Sequence, residues 1–96
     1  MKAYVIYQAK ILDADRYEQY RIAVSPNIKS AGGRYLVRGG NPESLEGDPP
    51  STRLVILEFP SRQAATDWYR SDEYSKIKKL RDGAAQVAMF LVDEQE

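Results

Sequence analysis

Gly32-Gly33-Arg34-Tyr35-Leu36-Val37-Arg38-Gly39-Gly40 and, beyond a polar connection, Thr52-Arg53-Leu54-Val55-Ile56-Leu57-Glu58-Phe59-Pro60 decide the fold of this chain. Glycine pairs bracket the first run, and glycine supplies backbone conformations that other residues resist, so each pair marks a turn or a strand end. Between them charge alternates with bulk: Arg34, Leu36 and Arg38 fall on one side of a strand, Tyr35 and Val37 on the other. In the second run Leu54, Ile56 and Glu58 share one side, Val55, Leu57 and Phe59 the other. Each strand so read has one purely apolar face and one apolar face that carries charge.

The 96 residues suffice for one domain, spanning 1–96, and leave no room for a second core. At this size roughly 60–65% of the unfolded chain's surface is buried on folding. Lys plus Arg and Asp plus Glu both number 14, so the formal charge is zero. That balance argues against nucleic acid, whose binders show a basic excess or stripe. No apolar run approaches the ~20 residues of a membrane span, and Met1-Lys2 runs directly into a strand pattern, so neither a membrane partner nor a leader is expected. There is no cysteine and no histidine. Disulfides, thiolate nucleophiles, thiolate metal sites and the usual neutral-pH acid–base group are therefore excluded, no cofactor is expected, and a cytoplasmic location fits.

Working outward, Lys2 to Ile11 alternates Ala3, Val5, Tyr7, Ala9 and Ile11 against Tyr4, Ile6, Gln8 and Lys10, a strand with one apolar and one mixed face. Asp13 suits a helix N-cap. Tyr17, Tyr20, Val24, Ile28 and Ala31 then recur at helical spacing. Pro26 lacks the donor for an intrahelical bond and restricts Ser25, so it is expected to kink or divide that helix, which Gly32-Gly33 ends. Residues 41–51 are turn chemistry throughout, with Leu45 the only apolar residue. After Pro60, Ser61 caps a helix bearing Ala64, Ala65, Trp68 and Tyr69. Ser71-Asp72 starts another with Tyr74, Ile77 and Leu80 inward, and Lys76, Lys78, Lys79 and Arg81 form its solvated basic end before Gly83. Gln86 to Val92 is the last strand, with Ala88, Phe90 and Val92 opposing Val87, Met89 and Leu91; the acidic tail follows.

The order β-α-β-β-α-β is the split βαβ pattern of ferredoxin-like α+β domains, with a four-stranded antiparallel sheet and both helical segments on one face. Helices cover only that face. Ile6, Leu36, Leu54, Ile56, Val87, Met89 and Leu91 are read onto the other, a larger wet apolar patch than monomers usually tolerate. An identical chain related by a two-fold axis is the simplest cover. A homodimer with two sheets closed into a dimeric α/β barrel is the expectation, burying Leu36, Leu54, Ile56 and Met89.

Gly33-Arg34-Tyr35-Leu36-Val37-Arg38-Gly39-Gly40, Leu45-Glu46-Gly47-Asp48, Leu57-Glu58-Phe59-Pro60-Ser61 and Trp68-Tyr69-Arg70-Ser71-Asp72-Glu73-Tyr74 together resemble the domain of unknown function 1330, from Tyr4 to Val92. The resemblance implies the dimeric α+β barrel, shared with small monooxygenases and isomerases, and carries no established activity. Members often have an aromatic residue after the Gly47-Asp48 pair, where this chain has Pro49-Pro50.

The mixed strand faces converge on the space between the two sheets, which makes Tyr4, Gln8, Arg34, Arg38 and Glu58 the candidate ligand-binding residues. Counting across the loop sets Glu58 opposite Arg34 and Arg38 opposite Leu54. A buried charge needs a partner, so one reading is a structural ion pair at the dimer seam. The other is a pocket in which Arg38 holds an anionic or carbonyl oxygen and Glu58, its pKa raised by burial, acts as a base. Tyr69, with Tyr17, Tyr20 and Trp68, either walls the mouth of that pocket or belongs to the core. Glu43, Glu46 and Asp48 lack the rigid spacing of a cation site, so no metal is expected. Haem is disfavoured because nothing present ligates its iron through histidine or cysteine. Three classes stay open: a binder of a small organic acid or carbonyl compound, a cofactor-free isomerase or monooxygenase-like enzyme, and a structural dimer with no ligand. No catalytic residue is named.

Overall fold

The alternating segment Ala3–Ile11 forms β1, followed by α1 (Ala14–Ser30), β2 (Arg34–Gly39), β3 (Arg53–Phe59), α2 (Arg62–Arg70), α3 (Asp72–Lys78), a 3₁₀ turn at Lys79–Arg81 and β4 (Ala85–Asp93). This computed structural model describes residues 1–48 and 53–95, so the Pro49-Pro50 departure and the expected strand start at Thr52 lie outside the described residues. The strands make one antiparallel sheet in the order β2-β3-β1-β4. β3 lies between β1 and β2, which is the ferredoxin-like arrangement read from the sequence. Among the described residues no helix is long and apolar enough to cross a membrane.

Local chemistry sets the ends of these elements. The Asp13 carboxylate accepts from the Arg16 amide at 3.2 Å, the Ser61 hydroxyl from the Ala64 amide at 3.0 Å and the Ser71 hydroxyl from the Tyr74 amide at 3.1 Å. Each satisfies an amide left without a partner in a first helical turn. At the end of α1, Gly32 turns left-handed (φ 88°) while the Gly33 amide returns to the Ile28 carbonyl and the Gly32 amide to that of Lys29. This is a Schellman closure. Pro26, expected to kink or divide α1, does not divide it, and the helix runs unbroken through the proline. The proline leaves the carbonyl of Ile22 without its intrahelical donor at a point where both residues are exposed.

Gly33 is needed for its size. A Cβ there would stand 2.8 Å from the Phe59 ring and 2.9 Å from Ile28 Cγ2. Both neighbours are core residues, so Gly33→Ala should destabilise by about 1–3 kcal/mol through overpacking, read as a shift in the urea midpoint.

The helix-facing side of the sheet carries Ala3, Val5, Tyr7 and Ala9 from β1 and Val55, Leu57 and Phe59 from β3. They pack beneath Tyr17, Tyr20, Val24 and Ile28 of α1, Ala65 and Trp68 of α2 and Tyr74 of α3. Two assignments of face differ from expectation. In β4 it is Val87, Met89 and Leu91 that pack on this core, because Tyr7 pairs with Met89 and Val5 with Leu91. Ala88, Phe90 and Val92 take the open face instead. In β2 a bulge between Tyr35 and Val37 inserts Leu36, so Val37 pairs with Ile56 and Arg38 with Val55. One extra residue inverts every side chain after it. Val37 moves to the open face, and Arg38 moves to the helix side, its guanidinium 4.6 Å from the Tyr35 ring centre.

A third difference concerns α3. Leu80 is 37% exposed, while Arg81, expected in the solvated basic cluster, is buried at 9%. Arg81 lies seven positions, two helical turns, beyond Tyr74 and therefore on its inward face.

Candidate functional site

On the open face, residues align in rows across the strands. Arg34, Glu58, Tyr4 and Val92 make one row, directly opposite one another in that order. Arg34 Nε donates to Glu58 Oε2, and Lys2 Nζ lies 3.2 Å from Glu58 Oε1. The next row is apolar throughout: Val37, Ile56, Ile6 and Phe90. Gln8 lies further along, between Leu54 and Ala88. Of the six candidates, Tyr4, Arg34 and Glu58 thus come together, Gln8 shares their face at a distance, and Arg38 and Tyr69 lie on the helix side. Tyr69 is 40% exposed on α2, its hydroxyl accepting from Lys78 Nζ at 2.8 Å.

Glu58 does not have the raised pKa expected of a base. The hydrogen bond from Arg34 holds its carboxyl below its ordinary value of 4.5; burial opposes this and Lys2 reinforces it. The same bond raises Arg34. A carboxyl whose folded pKa is depressed stabilises the fold above its unfolded pKa, and that stabilisation is lost as pH falls through the folded value. Glu58→Gln should therefore lose stability at pH 7 relative to wild type and lose less than wild type on acidification below about pH 4.5, as urea titrations at neutral and acidic pH would report.

The helix side holds the more enclosed space. A cleft of about 240 Å³ lies between α2 and the edge strand β4, lined by Val5, Ala65, Trp68, Met89 and Leu91, with Thr66, Tyr69 and Arg70 as its polar groups. A second cavity of about 30 Å³ lies under α1, lined by Tyr7, Tyr17, Tyr20, Arg21 and Arg53 among others. Val5, Trp68 and Met89 border both. Around them runs a buried phenol network. The Tyr7 and Tyr17 hydroxyls are 2.8 Å apart, as are those of Tyr20 and Tyr74. Arg81 reaches Tyr74 at 3.5 Å and lies over the Tyr20 ring at 5.2 Å.

Burial, more than any neighbour, pushes the Tyr7 and Tyr20 phenols far above their ordinary range, so both stay protonated. Burial opposes the charge of Arg81, but Tyr74, which accepts its hydrogen bond, and Tyr20 together outweigh this and keep the guanidinium protonated. The Nε atoms of Arg53 and Arg81 are buried with no hydrogen-bond partner among the described residues. Sequence reading missed this interior as a site. Tyr17 and Tyr20 are read there as pocket wall or core, Tyr7 and Tyr74 as packing, and Arg81 as charge for solvent. The i+7 spacing from Tyr74 to Arg81 was the available signal. Among the described residues no group of three or more Asp, Glu, His or Cys side chains is placed to hold a metal ion.

Solved structures share this fold at low sequence identity. A protein of unknown function from Rhodopseudomonas palustris, RPA0582, superposes with a TM-score of 0.78 at 18% identity, covering 99% of this chain and 83% of that one. Rv0793 from Mycobacterium tuberculosis gives 0.61 at 17% identity, covering 100% and 97%. SnoaB, a cofactor-independent oxygenase from Streptomyces nogalater, gives 0.67 at 5% identity, covering 99% and 94%. No curated protein matches the chain. The family profile named DUF1330, a domain of unknown function, matches residues 2–95, and the chain belongs to that family.

Proposed function

We propose that the protein is a small-molecule binder that works as a homodimer, holding an organic acid or carbonyl compound in the interior between sheet and helices. The observation that carries this reading is the cleft bordered by Val5, Trp68 and Met89. Concave, mainly apolar and edged by a few polar groups, it has the make-up of a ligand site. Its volume of about 240 Å³ falls below the roughly 300–1,000 Å³ of drug-sized sites, so the ligand is small. The seam between two sheets, where the sequence allows either a structural ion pair or a ligand pocket, is less suited. Glu58 and Arg34 there occupy each other, and Arg38 has turned to the other side. Dimerisation rests on the open face, where the Val37–Ile56–Ile6–Phe90 row crosses every strand and Phe90, Val92 and Leu36 are 50%, 43% and 45% exposed. A second copy placed on it buries the same row twice over, as a two-fold interface does.

The likeness to a cofactor-independent oxygenase supports a catalytic second reading by fold analogy. Proton abstraction in the interior would need a base. The phenols of Tyr7 and Tyr20 are held protonated, and Glu58 lies on the opposite face, so binding is the better-supported function. The test is a thermal melt of the purified protein against a panel of small acids, aldehydes, ketones and their neutral analogues. A true ligand at 100 times its dissociation constant adds about 2.7 kcal/mol of stability. A panel that leaves the melt unmoved overturns the reading.

A further inference from the structure

The interior has a surplus of hydrogen-bond donors at one end. Arg53 Nε is buried and donates to nothing among the described residues. In the Tyr7–Tyr17 pair one hydroxyl donates to the other, which leaves the second proton without an acceptor on either assignment. Arg21 borders the same cavity, its Nε and Nη2 both donating to Glu18, whose carboxylate also feels the charges of Arg53 and Arg38. Arg53 itself has no carboxylate partner among the described residues. Gly39 makes room for its guanidinium: a Cβ there would stand 3.3 Å from Arg53 Nη1. Unmatched donors and unmatched positive charge call for a group that only accepts and is negative.

We infer that the cavity under α1 is the acid-binding end of the interior, where Arg53 donates to the carboxylate of a small monocarboxylic acid, the charge of Arg21 stands beside it, and the Tyr7–Tyr17 pair donates a second bond. The body of the acid extends along Trp68 and Met89, which border both this cavity and the larger cleft. A cavity of about 30 Å³ exceeds the roughly 10–15 Å³ that one water needs, which matches a carboxylate rather than a whole molecule. This inference rests on the interior-binding reading and specifies which ligands it selects.

The test titrates matched pairs, isobutyrate with isobutyramide and benzoate with benzamide, at constant ionic strength. The readout is the fluorescence of Trp68, the single tryptophan of the chain. In the wild type the acid should bind at least about tenfold more tightly than its amide. In Arg53→Met the preference should fall to near unity because acid binding weakens more than amide binding, and Arg53→Lys should retain an intermediate preference. Far-UV circular dichroism and the melting temperature establish that each variant is folded. Should Arg53→Met fail to fold, the acid–amide ratio in wild type and Arg53→Lys still decides. Equal binding of acid and amide by the wild type overturns the carboxylate assignment and leaves interior binding standing. A preference that survives in Arg53→Met overturns the role of Arg53. Absence of binding by either member of both pairs overturns the interior-binding reading and this inference together.

Discussion

Trp68→Ala is expected to destabilise the fold by about 3–5 kcal/mol, the range for deleting a buried large aromatic, and to lower the melting temperature by more than about 10 °C. The indole is 3% exposed and ties α2 to α1, α3 and β3. Its ring packs at 4.3 Å from Tyr74 and 5.4 Å from Phe59, and its Nε1 donates to Asn27 Oδ1 at 2.8 Å, linking α2 to α1. Truncation removes the transfer free energy of the ring, leaves a cavity between two existing voids, and strands the Asn27 acceptor. A melting temperature that barely moves would mean that the indole stands at the wall of an open pocket and that the α1–α2 contact holds without it.

Ile56→Asp should dissociate the proposed homodimer. Ile56 is at the centre of the apolar row, flanked in register by Val37 and Ile6. A two-fold axis through this face would bury the new carboxylate twice, with no arginine opposite it in the row. Removing an ionised group from water without a partner costs several kcal/mol, so the dimer's dissociation constant should rise by about a hundredfold or more. Sedimentation velocity on wild type and variant at micromolar concentration reports it. A wild type that sediments as a compact, soluble monomer would sink the homodimer.

Most of the fold is legible in the sequence because period and capping agree. The alternation of β1, the stripe Tyr17–Tyr20–Val24–Ile28 and the caps at Asp13, Ser61 and Ser71 all point to the elements they form. Legibility fails where a local rule gives no unique answer. In β4 both alternating sets are apolar, so only the pairing of Val5 with Leu91 and Tyr7 with Met89 selects the core set. In β2 the alternation holds as far as Tyr35, and then the bulge carries Arg38 away from the face that counting assigned it. A bulge leaves no mark in a run of alternating charge and bulk. The pairing of Arg34 with Glu58 lies before the bulge, and so the count across the loop found it. The interior was harder to see. Arg53 and Arg81 are charged residues that the fold buries against phenols, and a charge on a helix or a strand end is ordinarily assigned to solvent.

A crystal structure of the protein grown with the most stabilising acid of the panel is the sharpest test of an interior ligand site. The expected result is density between Trp68 and Met89, with its acid group at Arg53, and two copies packed through the Val37–Ile56–Ile6–Phe90 row. Density lodged instead on the open face beside Arg34 and Glu58, or an interior filled only by water at saturating ligand, would contradict it.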